Sequence, residues 1–437
     1  MRTHRTLRCR GIELGIVEEV LANGLHVIAH EDRAAPVVSV QVGYHVGSAR
    51  ELAGATGFAH LFEHLLFQGS RNVASDGHFR HITEAGGTLN GNTSFDRTLY
   101  FETVPSNQLE LALWLESDRM GFLLDAMTQA KLDNQRDVVR NEKRQNYELK
   151  PYAKAQEALA RALFPVGHPY AHLPIGSHED LIAATLDDVS AFFRRWYGPN
   201  NATLALAGDV DAGRAFELAE RWFGALSRCP AVERPRPIAV RNAREQRVVV
   251  EDKVKLPQLT LAWPTRAQDD ADEAPLAMLA MVLSASRASV LDKALTIDAV
   301  LAKGVSAYSY CAEIAGRFVI TLTAAPGTTL EQLEARTREL LARLQRDGVD
   351  AALLERMKSR FEADFVRRLD NVSSRAGALA LAHVLRGDAA AFAVELERAL
   401  AVTPEQVRDV LTRHLLDQPA VVLSVVPEQV SAAGVER

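Results

Sequence analysis

The sequence predicts an α+β fold of two homologous α/β halves, each a mainly antiparallel sheet flanked by helices, related by a pseudo-two-fold duplication. Three observations predict it. The chain has 437 residues, room for two to three domains at about 150 residues each. Strand-like and helix-like periodicities recur in similar order in its two halves. Between them, Cys229 to Gln246 carries Pro230, Pro235 and Pro237 with many charges and little periodicity, the composition of an interdomain linker. The expected division is a first domain over 1–228, a linker over 229–246 and a second domain over 247–437.

Each element has its own signal. From Glu18 to Glu31, apolar runs flank Asn23-Gly24, which predicts a hairpin with a two-residue I′ turn. Pro36 to Val46 reads as a strand from the alternation of Val38, Val40 and Val42, and Gly54 to Phe67 changes to helical spacing. Glu84 to Thr103 holds a Gly-Gly turn and then alternating, β-rich sequence. Gln108 to Phe122 and Ala130 to Leu149 are amphipathic helices. Asp187 to Tyr197 is another, ended by Gly198-Pro199, and Ala202 to Ala207 is a short buried strand. Beyond the linker the order recurs: strand (Gln258 to Ala262), helix (Ala274 to Leu283) and two strands (Val305 to Tyr310, Arg317 to Thr323). Two long helices follow (Leu330 to Asp347, Ala351 to Leu369), then a helix from Pro404 and a strand at Ala420 to Val426.

Composition narrows the function. Apolar residues are 47% and charged residues 24%, which excludes a disordered chain, a collagen and a disulfide scaffold. The net charge of −6 lacks the basic surplus of a nucleic-acid binder. Cys9, Cys229 and Cys311 are odd in number and far apart, so they read as partly buried free thiols. No apolar run approaches the roughly 18 residues of a membrane span. The basic start, Met1 to Arg10, leads into no apolar run of a signal peptide. The expected compartment is the cytoplasm, or the periplasm if a signal peptide was removed. Of thirteen histidines, eleven lie at or before His178, so imidazole chemistry belongs to the first half.

That chemistry centres on Gly57-Phe58-Ala59-His60-Leu61-Phe62-Glu63-His64-Leu65-Leu66-Phe67. On a helix, His60 and His64 stack on one face, as two metal ligands must, and Glu63 sits at the edge of that face as a candidate general base. The pattern is H-x-x-E-H. Polar groups in so apolar a helix are costly unless compensated, and one zinc ion per chain would compensate them. The alternative is a core helix with hydrogen-bonded passenger histidines. Zinc needs a third protein ligand and an open position. On Leu132 to Leu149, Val138 and Val139 mark an apolar face, and Glu142 falls on it at i+4 and i+3, while Asp133 and Asp137 lie off it. Glu142 is therefore the candidate third ligand, the alternative being a glutamate that snorkels at the stripe's edge or pairs with Arg136 or Lys143.

With these residues in view the sequence resembles the pitrilysin/insulinase family of metallopeptidases, which includes the mitochondrial processing peptidase, and most of all its bacterial members. The resemblance runs over nearly the whole chain. It rests on Gly47-Ser48-Ala49-Arg50-Glu51 through Gly69-Ser70, on Gly86-Gly87-Thr88-Leu89-Asn90-Gly91-Asn92-Thr93, and on Asn134 to Glu142. His168-Pro169-Tyr170, Gly176-Ser177 and Asn200-Asn201-Ala202-Thr203-Leu204 add further landmarks. The resemblance implies zinc on His60, His64 and Glu142, with Glu63 as general base. It also implies that a peptide substrate adds as a β-strand to the segment Asn90, Gly91, Asn92 and Thr93; without it, that segment would pass for an ordinary hairpin strand. Some members carry an acid seven residues before the distal ligand, where this chain has Gln135.

One departure bears on mechanism. Many members place an Arg and a Tyr seven residues apart in the second half to bind substrate and stabilise the oxyanion; here Thr296 and Lys303 occupy those places. The expectation is a zinc endopeptidase subunit completed by a homologous partner in a heterodimer. The alternatives are a homodimer in which Lys303, Tyr308 or Tyr310 takes over, and a non-catalytic scaffold or binding subunit.

Overall fold

Every strand in the chain has to find a neighbour for its backbone amides and carbonyls, and the way they do so repeats. The computed structural model describes residues 2–428. Seven strands precede the proline-rich segment: β1 (Thr3–Cys9), β2 (Ile12–Val20), β3 (His26–Glu31), β4 (Val37–Tyr44), β5 (Thr88–Thr93), β6 (Thr98–Pro105) and β7 (Ala202–Gly208). They form one sheet in the order β1-β2-β3-β7-β4-β6-β5. Five strands follow it: β8 (Gln246–Asp252), β9 (Gln258–Thr265), β10 (Ala302–Cys311), β11 (Gly316–Ala324) and β12 (Val421–Pro427), in the order β10-β11-β9-β12-β8. Read outward from β3 and from β8 the two orders are the same. In each sheet one pair is parallel, β3 with β7 and β8 with β12, and the other pairs are antiparallel. The fold is α+β in two homologous halves, as the periodicity predicts.

The compact units do not follow the chain simply. Among the described residues, one comprises 2–141, 172–234 and 362–397; the other comprises 142–171, 235–361 and 398–428. Each therefore takes one helical segment from the far half of the sequence. Helix Val372–Arg386 packs on β4 and β7 of the first sheet, and helix Lys154–Leu163 packs on β8 and β12 of the second. Residues 226–245 form neither helix nor strand. Apolar side chains fill the interior of each unit. In the first they include Val38, Val40 and Val42, the alternation read from the sequence; in the second they include Trp263, Leu279, Phe318 and Leu341.

One local reading is corrected. β2 and β3 do form a hairpin, but Asn23 does not adopt the positive φ that a I′ turn requires of both central residues; only Gly24 does, at φ 91°. Asn23 is instead buried, with Nδ2 donating to the Phe223 carbonyl at 2.7 Å, so a tertiary bond overrides the turn preference. The tight two-residue turn is at Arg10-Gly11 (φ 47° and 82°), which closes β1 onto β2. Cys229 and Cys311 are partly buried free thiols; the side chain of Cys9 lies outside the described residues. Among the described residues no single helix is long and apolar enough to cross a membrane.

The far helix is tied to the first sheet by polar contacts. Gln41 Nε2 donates to the Ser373 carbonyl at 2.5 Å, Arg375 pairs with Asp32, and His383 Nδ1 lies 2.7 Å from Thr203 Oγ1. The His383 ring stacks on His26 with centroids 3.6 Å apart. Burial, with His26 adding repulsion, lowers the His383 pKa to about 4. Below the ordinary histidine value the unfolded chain takes up this proton first, so stability is lost as pH falls from about 6.5 towards 4. Acidification from pH 7 to 5 is expected to cost on the order of 1–2 kcal/mol through this group. His383→Gln should flatten that part of a thermal-stability profile against pH; an unchanged slope would show that His383 is not the group responsible.

Candidate metal centre

The helix that carries the motif, Phe58–Leu65, has only eight residues. Phe58, Ala59, Leu61, Phe62 and Leu65 are buried, while His60, Glu63 and His64 are half-buried. The apolar positions thus anchor the helix and leave its polar face towards an open side. The His60 and His64 rings lie 4.9 Å apart, nearly perpendicular. Glu142 stands on the last turn of helix Gln129–Lys143. One ligand atom from each of His60, His64 and Glu142 lies within 4.8 Å of the others. Two imidazoles and a carboxylate at this spacing fit a single zinc ion with a position left for water.

The glutamate arrives there by a stripe that differs from the expected one. Val139 is fully buried, but Val138 is 40% exposed, so only one of the two valines marks the inner face. That face runs Leu132, Gln135, Val139 and Lys143, all buried, and Glu142 falls beside it at three residues past Val139. A β-branched apolar pair cannot by itself say which of its members faces inward; the i+3 and i+4 neighbours decide. Both cations weighed as partners for Glu142 have carboxylates of their own. Arg136 pairs with Asp133, and Lys143 Nζ reaches Glu157 at 3.4 Å. Asn146 Nδ2 approaches Glu142 Oε1 at 3.5 Å. Asp133 and Asp137 are exposed, as the pattern predicts.

β5 supplies the other side of the site. It is the edge strand of the first sheet, and its pleat divides the four predicted residues. Thr93 Oγ1 donates to Glu63 Oε2 at 2.7 Å, so Thr93 faces the histidine helix and holds the candidate base. Gly91 faces the same way: a Cβ there would lie 3.1 Å from Glu63 Cγ and 3.2 Å from the Tyr100 ring. Asn90 and Asn92 alternate to the opposite face. Asn92 is bound by Arg97, and Asn90 Oδ1 accepts the Gly91 amide at 2.8 Å. From β6, the buried Tyr100 hydroxyl donates to the Phe62 carbonyl at 3.0 Å, tying the helix to the sheet. Beneath Tyr100 lie the fully buried Glu116 and Arg119, whose guanidinium sits 4.2 Å from the Tyr100 ring centroid.

Sequence reasoning missed two supports of this helix, Glu51 and His172, and Asp180, which binds the segment before it. Glu51 Oε2 accepts the Gly57 amide and Oε1 the Ala59 amide, both at 2.8 Å; His172 Nε2 lies 3.0 Å from Oε2; and Asp180 Oδ2 accepts the Thr56 amide at 2.9 Å. No periodic signal marks such residues, because they act across gaps of six to 124 positions. In the second half, Thr296 Oγ1 donates to the Asp292 carbonyl of its own helical turn at 2.6 Å. Lys303 is exposed on β10. Tyr308 and Tyr310 are exposed on the same strand, with the Arg317 guanidinium 5.9 and 5.6 Å from their ring centroids.

Two imidazoles, a carboxylate and a second glutamate held beside them make up the residue inventory of a zinc peptidase. Two family models cover most of the chain: "Insulinase (Peptidase family M16)" matches residues 26–172, and "Peptidase M16 inactive domain" matches residues 183–361. The chain belongs to this insulinase family of peptidases. The zinc protease PqqE of Helicobacter pylori is 29% identical over 368 residues, covering 82% of this chain and 81% of that protein. The crystal structure of a protease from Helicobacter pylori matches with a TM-score of 0.87 at 26% identity, over 94% of this chain and 99% of the other. A probable mitochondrial-processing peptidase subunit beta of Schizosaccharomyces pombe is 26% identical over 206 residues, 47% of this chain and 44% of that one.

If His60, His64 and Glu142 are the ligands, wild-type protein dialysed against trace zinc should retain about one ion per chain. His64→Ala and Glu142→Gln should fall well short of that by plasma mass spectrometry. Wild-type zinc content in both variants would exclude the site.

Proposed function

We propose that this chain is a zinc-dependent endopeptidase subunit. The observation that carries the reading is the convergence of His60, His64 and Glu142 from two separate helices, with Glu63 held next to them by Thr93. Zinc bound there would supply a Lewis acid that lowers the pKa of a bound water towards neutrality. Glu63 then accepts a proton from the attacking water and delivers it to the leaving amine. A carboxylate on a rotatable stem is a poor base unless its position is fixed. The Thr93 hydroxyl fixes one oxygen of Glu63. The edge strand β5 has backbone groups with no further strand beside them, and an extended peptide would pair along it.

A homologous second subunit is the partner this reading calls for. Stabilising the oxyanion needs donors aimed at it. Thr296, in the place of the family's arginine, spends its hydroxyl on its own helix, and Lys303 replaces the tyrosine. The Schizosaccharomyces pombe relative is by name one subunit of a processing peptidase. A homodimer using Lys303, Tyr308 or Tyr310 is the competing arrangement. A non-catalytic binding subunit is the competing function, favoured by the missing pair and disfavoured by a complete ligand set.

Hydrolysis of a pool of quenched fluorescent peptides by the zinc-loaded chain tests the reading. Glu63→Gln should lower kcat by at least about 100-fold, the scale of a lost general base. Thr93→Val should lower kcat by about 10-fold with KM little changed, and Thr93→Ser should restore it. Cleavage by the chain alone would remove the need for a partner. Cleavage unaffected in Glu63→Gln would overturn the mechanism.

A further inference from the structure

The start of the histidine helix poses a problem that its own sequence cannot solve. The first amides of a helix have no partner within it, and a Ser, Thr, Asp or Asn at the N-cap usually supplies one. Here the N-cap is Gly57 at φ 92°, with no side chain to offer. Nor could it carry one easily: a Cβ at Gly57 would lie 2.9 Å from the Ile175 carbonyl oxygen. The cap has to come from elsewhere in the chain.

It comes from Glu51. Its side chain is fully buried, and its two oxygens divide the work, one taking the Gly57 amide and the other the Ala59 amide. Ala59 is the residue before His60, so the carboxylate holds the backbone from which the first imidazole projects. His172 Nε2, 3.0 Å from Oε2, supplies a third contact and fixes the carboxylate's rotation. Negative charge at a helix start also suits the helix dipole. Asp180, by contrast, binds Thr56, one residue outside the cap, and touches neither helix amide.

We propose that Glu51, oriented by His172, is the positioning residue of the metal centre: it sets the histidine helix so that His60 and His64 meet an ion without reorganisation. The inference rests on the reading of His60, His64 and Glu142 as metal ligands. It requires that Glu51 govern metal affinity and turnover rather than folding alone.

The test uses the full-length chain and Glu51→Gln, His172→Ala, His172→Gln and Asp180→Asn. Zinc affinity is read by competition with a chromogenic chelator well below the melting temperature, and helix protection by amide exchange over residues 57–65. Glu51→Gln places an amide N–H against the helix donors. It should weaken zinc binding about 10-fold, the scale of lost support behind a ligand, and speed exchange across the helix. kcat should fall with KM unchanged. His172→Ala should do the same to a smaller degree, and His172→Gln, which keeps a donor, should recover most of the loss. Asp180→Asn should lower the melting temperature but hold zinc affinity within about 2-fold of wild type. Wild-type zinc affinity and exchange in Glu51→Gln, with only the melting temperature lowered, would overturn the proposal. If Glu51→Gln does not fold, His172→Ala decides, and unchanged affinity there overturns it. If the wild-type chain binds no zinc, the ligand reading fails; amide exchange in Glu51→Gln then judges the cap by itself, faster exchange upholding it and unchanged exchange overturning it.

Discussion

An eight-residue helix is too short to hold itself together in water, yet this one carries two imidazoles and a candidate base. Everything that makes the site depends on how that helix is tied down. Five of its side chains are buried, its first amides are taken by Glu51, and its Phe62 carbonyl is taken by Tyr100 from β6. The polar face is then the one face left over. Spacing in the sequence puts His60 and His64 on a common side, but the tertiary anchors hold that side still.

The same economy shapes the sheet below. Arg119 sits under the ring of Tyr100, and it is paired within the interior with Glu116. The neighbouring Glu102 is also buried; burial and the Glu116 charge push its carboxyl well above the usual range. A buried guanidinium with a carboxylate paired to it is the arrangement a buried polar cluster can tolerate. Tyr100 and Glu102, two residues apart on β6, share one face of the strand, so the cluster sits on the side from which Tyr100 reaches the helix.

Divergence of the two copies accounts for one candidate centre and not two among the described residues. In the second half, helix Glu273–Ser284 follows β9 as the histidine helix follows β4, and a strand hairpin follows each. That second helix reads Glu-Ala-Pro-Leu-Ala-Met-Leu-Ala-Met-Val-Leu-Ser, with no histidine, and packs as plain core. One copy of the repeat thus keeps polar groups at a cost that a metal would offset, while the other keeps only apolar ones. The exchange of helices Lys154–Leu163 and Val372–Arg386 between the units' sequences means that neither sheet is covered by its own half alone.

The sequence by itself determined the α+β class, the repeated order of elements and the H-x-x-E-H helix, and marked Glu142 as a candidate, because these rest on periodicity and on residue chemistry at short spacing. It marked Asn90 to Thr93 as one unit and Val138 with Val139 as one face. Only the tertiary structure separated Thr93 from Asn92, Val139 from Val138, and the real turn at Arg10-Gly11 from the one expected at Asn23-Gly24. It alone assigned Glu51 to the helix start and moved residues 362–397 to the first unit. The physical reason is common to all of these. Local sequence sets which side chains share a face, but which face turns inward, and which distant group completes it, is settled by contacts between segments far apart in the chain.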